Sequence, residues 1–358
     1  MRIISVNPYI VRGATTSSEI HPNWGLSCLV RIETETGLVG WGEGSSLISQ
    51  DGGLAKVREV VNTIFGPTLI GRDPTEPMVI WKELQTLAAS TFGRDRMYLQ
   101  KASIAAISAI DIALWDISGQ AKEQPVHKLL SNVVRSKIKF SSDSAWRPAS
   151  SVPQPEAQSL LDLGFDTFEV SLLGSLENNM QSARATRYAF GRQANIVVRQ
   201  STSRAPAENS PRLSVPMAWG DLEWKGKALC DGMAGRGVDI LQPNIIFYGG
   251  FTALLRILTI AKSHDVLVMP SCHTRRGSGI ALAATIQASA AVPWKSMVDG
   301  QEPNPKEPMI SLSPDVLDIR NQFLVQNIDG SGGYLHVSER PGLGTTVDAQ
   351  ALSRMAIQ

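Results

Sequence analysis

"GGFTALLRILTIAKSHDVLVMPS", residues 249–271, decides the fold. Apolar residues at helical spacing run through Leu254, Leu255, Ile257, Leu258 and Ala261. Polar residues follow, then an apolar run of strand type from Val266 to Met269. The same succession of helix and apolar strand occurs in "PEAQSLLDLGFDTFEVSLLG" (155–174), "NNMQSARATRYAFGRQANIVVRQS" (178–201) and "GKALCDGMAGRGVDILQPN" (226–244). "SKIKFSSDS" (136–144) is a short strand ahead of them. Helix and strand in strict alternation make a parallel sheet with crossover helices, and this many units favour a βα barrel over an open sheet.

In such barrels the chemistry sits where the strands end at their C-terminal edge. The residues at those ends are Ser141 to Ser144, Glu169 and Ser171, Arg199 and Gln200, Asp221, Asn244, Ser271 to Arg276, and Val298 with Asp299. The chain ahead of the repeats has a different grammar. "SCLVRIETETGLVGWGEGS" (27–45) reads as two strands around a tight turn at Thr36-Gly37. Helical patterns follow in 53–71, which stops at Gly66-Pro67, and in 73–90, which opens on Asp-Pro and Thr. The long apolar segment from Lys101 to Gly119 carries Asp111 and Asp116 at helical period, so it reads as a buried helix and not a membrane span. These elements form a first α+β domain over residues 1–130; the barrel takes 131–325, and 326–358 is a C-terminal segment.

Composition bounds the function. With 43% hydrophobic and 19% charged residues, the 358-residue chain has the profile of a globular protein with a large core. A net charge of +1 gives no reason to expect nucleic acid or a membrane as partner. Cys28, Cys230 and Cys272 are far apart and not in metal-ligand spacing, which suits a reducing, cytoplasmic setting. "MRIISVNPYIVRG" lacks the apolar core and cleavage site of a signal peptide.

Four stretches carry a family resemblance: "VRIETETGLVGWGE" (30–43), "AISAIDIALWDISGQAKEQPVHKLL" (106–130), "GVDILQPNIIFYGGFTALLRILTIAKSHDVLVMP" (237–270) and "ERPGLGTTVDAQAL" (339–352). In that order they resemble the enolase superfamily, in its mandelate racemase-like and muconate lactonizing branch. The resemblance implies an α+β capping domain over a modified βα barrel, with the C-terminal segment returning to the cap. It also implies symmetric oligomers. The activity implied is that of a lyase (dehydratase) or isomerase on carboxylated, sugar-acid-like substrates. Relatives hold Mg²⁺ with three strand-end carboxylates, and the ion stabilises the enediolate formed when a base removes the proton next to a carboxylate.

The chain departs from that pattern at most of the positions that matter. Glu169-Val170-Ser171 stands where the family has its K-x-K bases, and Arg199 where it has the first metal-binding Asp. The "EEP" motif of the second ligand is absent, and one βα unit is shortened or deleted around 199–221. Asp221 matches the third ligand, Asn244 the Asp of the catalytic dyad, Ser271 its His, and Val298-Asp299 the strand-eight acid. A missing strand would expose an edge that needs cover. A guanidinium at position 199 keeps its charge at neutral pH and repels a cation, so no tightly bound Mg²⁺ is expected.

Three readings follow. In the first, the protein is a lyase or isomerase that does not use the usual Mg²⁺ site. Arg199, Arg275 and Arg276 then anchor the carboxylate, His273 moves the proton, and Asp221 completes the catalytic set. Glu169, Ser171, Asn244 and Ser271 line the substrate. In the second, the chain is a pseudoenzyme with a binding or structural role: Arg199 pairs with Asp221 or Glu169, His273 is a loop histidine, and Arg275 and Arg276 are solvated or contact another subunit. In the third, Mg²⁺ is held by relocated ligands such as Asp143, Glu169 and Asp299.

Overall fold

The computed structural model describes residues 1–12, 26–45, 52–93, 97–132, 135–143, 154–171, 176–191, 194–200, 215–220, 223, 226–234, 238–272, 278–292, 307, 309–312 and 321–357. Three antiparallel strands open the chain: Ile3–Arg12 (β1), Leu26–Thr34 (β2) and Val39–Gly44 (β3). Helix Gly52–Val60 (α1) continues through a π turn at Val61–Phe65 into Gly66–Leu69 (α2). Pro77–Phe92 (α3), Met97–Ala121 (α4) and Val126–Leu130 (α5) complete the cap.

The cap is built around β3 and α4. In "VGWGEG" every second residue of β3 is glycine, and all three face the helix. A Cβ on Gly40, Gly42 or Gly44 would lie 2.2, 1.8 or 2.0 Å from the carbonyl oxygens of Ala113, Ala109 and Ala105. Two strand residues and one helical turn advance by nearly the same distance, roughly 6–7 Å, so the glycines and the carbonyls stay in step. The helix therefore rests on bare backbone. Its other sides meet α1, α3 and the barrel helices, and 94% of its most apolar window is buried in protein.

The barrel begins at Lys137–Asp143 (β4). Then come Gln154–Asp162 (α6), Thr167–Ser171 (β5), Leu176–Phe190 (α7), Asn195–Gln200 (β6), Met217–Trp219 (β7), Gly226–Ala234 (α8) and Ile240–Leu241 (β8). Ile245–Tyr248 (α9), Gly250–His264 (α10), Leu267–Val268 (β9), Gly279–Ala291 (α11) and Met309–Leu312 (β10) follow. From β4 to β9 each strand pairs in parallel with the next. β10 pairs in parallel with β4. The run after β9 reaches β10 through the bridge Ser271–Ser311 and a 2.9 Å bond from Cys272 N to Ser311 O. The circuit thus returns to its first strand with seven parallel strands, β4 to β10, among the described residues.

Two expectations change. The edge that a shortened unit would expose is not open, because β6 and β7 pair directly, Val198 opposite Met217. The last parallel strand is Met309–Leu312, well after Val298-Asp299, so Ser311 takes the strand end where an acid was expected. Residues 298 and 299 lie outside the described residues. The C-terminal segment first adds a hairpin, Gly330–Ser331 (β11) and Tyr334–His336 (β12), to the outer side of β4. It then crosses to the cap and ends in Ala349–Met355 (α12) and Ala356–Ile357 (β13), which pairs with β1.

Buried carboxylates of the cap hold the barrel. Glu43 accepts bonds from Ser27 Oγ, Ser278 N (2.8 Å), Ser278 Oγ (2.6 Å) and Ala281 N (2.9 Å), and so caps α11. At the other end of α11, Arg135 Nη1 donates to the carbonyls of Ala290 and Val292, each at 2.8 Å. Asp111 accepts Thr252 N (3.0 Å) and Thr252 Oγ1 (2.5 Å) in the first turn of α10. Asp116 accepts Trp41 N (3.0 Å) and Leu343 N (2.9 Å). Burial pushes the Asp111 carboxyl up to about 7 and Asp116 to about 6, although their hydrogen bonds pull the other way.

A Gly42→Ala variant drives its Cβ into a backbone carbonyl that no rotamer can avoid. It should lose more than about 3 kcal/mol or fail to fold. Gly37→Ala, at a turn with φ +84° and nothing nearby, should lose only about 1 kcal/mol. Denaturant unfolding of both variants checks the contrast. A carboxyl with higher proton affinity in the folded state stabilises the fold at low pH, and that contribution is lost as the pH rises through its folded value. Between about pH 4 and 7 Asp111 therefore contributes a stability that falls with rising pH. Across that window wild type should lose more stability than Asp111→Asn in parallel unfolding titrations.

Candidate active site in the barrel

Parallel neighbours in register send side chains to the same face of a sheet. In this barrel the rule sorts the residues into layers. Phe168, Val170 and Ile196 point outward and pack with Phe165 and Phe190 beneath α6 and α7. Val197, Ala218, Ile240, Met269 and Met309 point inward and form a small apolar plug, with Leu267 against it. Above the plug, toward the strand C-termini, the inward residues turn polar: Ser141, Glu169, Arg199, Gln242, Ser271 and Ser311. All six are buried.

Glu169 is the hub of this layer. It is 0% exposed, and its Oε1 accepts Ser141 Oγ at 2.5 Å from the neighbouring strand. Its Oε2 accepts Gln242 Nε2 at 3.1 Å. Gln242 follows β8, three strands away from β5, so this bond spans the barrel interior. Arg199, 3% exposed, lies on the other side: Nη1 is 3.8 Å from Glu169 Oε2, and Nη2 donates to Ser171 Oγ at 3.1 Å. Ser171 and Arg199 are register partners on β5 and β6. A buried ion pair with further hydrogen bonds on both partners is the form in which charges survive inside a protein.

The candidates drawn from the sequence fall into groups. Arg199, Glu169 and Ser171 come together as one contact set, with Glu169 as the partner of the arginine. Ser271 sits in the same layer and donates to Gln242 O at 3.3 Å. Asn244, just past β8, also caps a helix: its Oδ1 accepts Ile246 N at 3.3 Å at the start of α9. Asp221, His273, Arg275 and Arg276 lie outside the described residues. Gln242 and Ser311 were missed, since neither residue type announces chemistry. The signal was positional: Gln242 lies two residues past inward-facing Ile240, and Ser311 two past inward-facing Met309.

Relatives hold Mg²⁺ at strand-end carboxylates, and Glu169 is the carboxylate that the described residues place in this layer. That ion needs about six oxygen ligands in near-octahedral array. No three His, Cys, Asp or Glu side chains are grouped among the described residues. Glu169 has its oxygens committed to Ser141 and Gln242, with a permanent cation 3.8 Å away.

Comparison with known proteins places this architecture. Residues 25–131 match the mandelate racemase/muconate lactonizing enzyme N-terminal domain, and residues 201–351 match the enolase C-terminal domain-like family. The stretch between them holds β4, β5 and β6, and with them Glu169, Ser171 and Arg199. A D-galactonate dehydratase from Variovorax paradoxus (strain S110) is 30% identical, over 93% of this chain and 91% of that protein. Among solved structures, the 3,6-anhydro-D-galactonate cycloisomerase of Zobellia galactanivorans has a TM-score of 0.79 at 22% identity, covering 100% of both chains. A mandelate racemase/muconate lactonizing protein from Paracoccus denitrificans PD1222, complexed with magnesium, has a TM-score of 0.78 at 22% identity, over 99% of this chain and 97% of that one. The chain therefore belongs to the enolase superfamily, in its mandelate racemase/muconate lactonizing enzyme branch.

Proposed function

We propose that this protein is an acid-sugar lyase or isomerase in which Arg199 takes the part that Mg²⁺ plays in relatives. The observation that carries the reading is a buried guanidinium at the strand edge, 3% exposed, where barrel chemistry occurs. By the family resemblance two charges have changed sign together: Glu169 replaces a lysine on β5, and Arg199 replaces an aspartate on β6. The barrel keeps a fixed positive charge but moves it one strand along. Removing the proton next to a carboxylate builds negative charge, and a guanidinium in a dry site offsets it without giving up its own proton. In this reading Arg199 binds the substrate carboxylate, Arg275 and Arg276 add to the anion site, and His273 moves the proton. The D-galactonate dehydratase relative makes aldonic acids the first substrates to try.

A second reading is favoured by the contacts themselves. Glu169 and Arg199 hold one another and are further bonded to Ser141, Gln242 and Ser171. That is also how a structural ion pair in a catalytically silent barrel would look, and the chain would then be a pseudoenzyme.

Proton NMR of aldonic acids in D₂O, with Mg²⁺ and again with EDTA, separates the readings. Deuterium uptake or dehydration should survive EDTA and fall by about 100-fold or more in Arg199→Met. Activity abolished by EDTA would sink the metal-free route; silence in both conditions supports the pseudoenzyme. Unfolding of Glu169→Gln, Arg199→Met and the double variant measures the pair. Each single change should cost about 3–5 kcal/mol, and the double change less than their sum.

A further inference from the structure

A cavity of about 190 Å³ lies where three parts of the chain meet. Helix α11 contributes Ile286 and Gln287, the run into β11 contributes Asn327 and Asp329, and the segment from β12 toward the cap contributes His336 and Arg340. His336 pairs with Lys137 at the start of β4. Ser141 of the polar layer is four residues further along that strand, roughly 13 Å away. None of the six residues of that layer lines the cavity, so it is a separate place in the fold.

Its inner lining is preformed. Ile286, Ile328, Val337 and Leu343 are apolar and buried. Gln287 is 1% exposed; its Nε2 donates to Ser338 O at 3.1 Å, and its Oε1 accepts His127 N at 2.9 Å. Thr345 Oγ1 donates to Gln326 O at 2.8 Å. The charged groups of the rim are different. Arg340, His336 and Asp329 are exposed, and among the described residues none of their side chains has a hydrogen-bond or ion-pair partner. Glu339, next to Arg340, is held by Lys128 instead. An apolar interior with a few polar groups around it is the ordinary form of a small-molecule site.

Size and charge set the class of ligand. An apolar cavity of about 150 Å³ holds benzene, so this one has room for a body of that size with a polar head at the rim. The rim carries one permanent cation, one imidazole and one carboxylate. A guanidinium fork matches a carboxylate in shape and charge, whereas an ammonium would meet it with like charge. The second negative charge of a phosphate ester would be repelled further by Asp329. We propose that this cavity is a second ligand site, for a small monocarboxylate with an apolar body, anchored by Arg340. The site does not depend on the reading of Arg199.

Ligand-observed NMR titration of benzoate, benzamide and benzylamine tests the site, since the three share a ring and differ in the charge of the head. Wild type should bind benzoate about fivefold or more tightly than either of the others. Arg340→Gln should remove that preference, Arg340→Lys should keep part of it, and Asp329→Asn should tighten benzoate binding about twofold. Arg199→Met should change nothing, which separates this cavity from the barrel mouth. Arg340 and Asp329 are both exposed, so replacing them leaves the core intact. Benzoate bound no better than benzamide, or a preference that survives Arg340→Gln, overturns the site. So does benzoate binding that is lost in Arg199→Met, because the carboxylate would then sit in the barrel.

Discussion

A carboxylate cannot be taken out of water unless donors meet it, and in this protein barrel backbone supplies many of those donors to the cap. Glu43 is fully buried and is met by Ser27, Ser278 and Ala281. Asp111 is met by Thr252, and Asp116 by Trp41 and Leu343. The N-termini of α10 and α11 need acceptors as much as the acids need donors. Each partner solves the other's problem only when cap and barrel are docked in this one way. Pulling them apart would strand two acids, Glu43 and Asp111, and two helix ends at once, so the position of the cap over the strand ends is part of the fold itself.

The helical period of Lys101 to Gly119 and the repeated helix-strand grammar made the architecture legible, because both depend on apolar spacing along short stretches. Arg199 and Glu169 stood out as charges at the ends of apolar runs, but the sequence left open whether they act on a substrate or only on each other. Three things were not legible. The last strand was placed at Val298-Asp299 and lies at Met309–Leu312, a four-residue strand with no pattern that local reading can lift out of its surroundings. Asn244, read as lining the substrate, also caps the next helix through its Oδ1, a role that local reading did not give it. Gln242 and Ser311 became visible only when strand parity and register were known across the whole barrel.

The barrel interior divides by height. The apolar plug beneath seals the strand N-terminal half and gives the polar layer a dry floor. On that floor a charge pair is strong and directional, and the bonds from Ser141, Ser171 and Gln242 fix where it points. A layer so thoroughly cross-linked is specific about what it admits. A ligand must replace contacts of matching geometry, which favours small, rigid, polar molecules over flexible apolar ones.

Helix α11 carries an acid at its first turn and an arginine at its last carbonyls, and all thirteen of its residues are buried beside the barrel. With both terminal partial charges compensated, the helix casts little electric field of its own into the barrel. The potential felt at the strand ends is then governed by short-range local charges, above all the Glu169–Arg199 pair. A ligand approaching the mouth meets a compact dipole of fixed direction. Reversing that pair by exchanging the two residues would turn the local field around while leaving the long-range field of the protein almost unchanged.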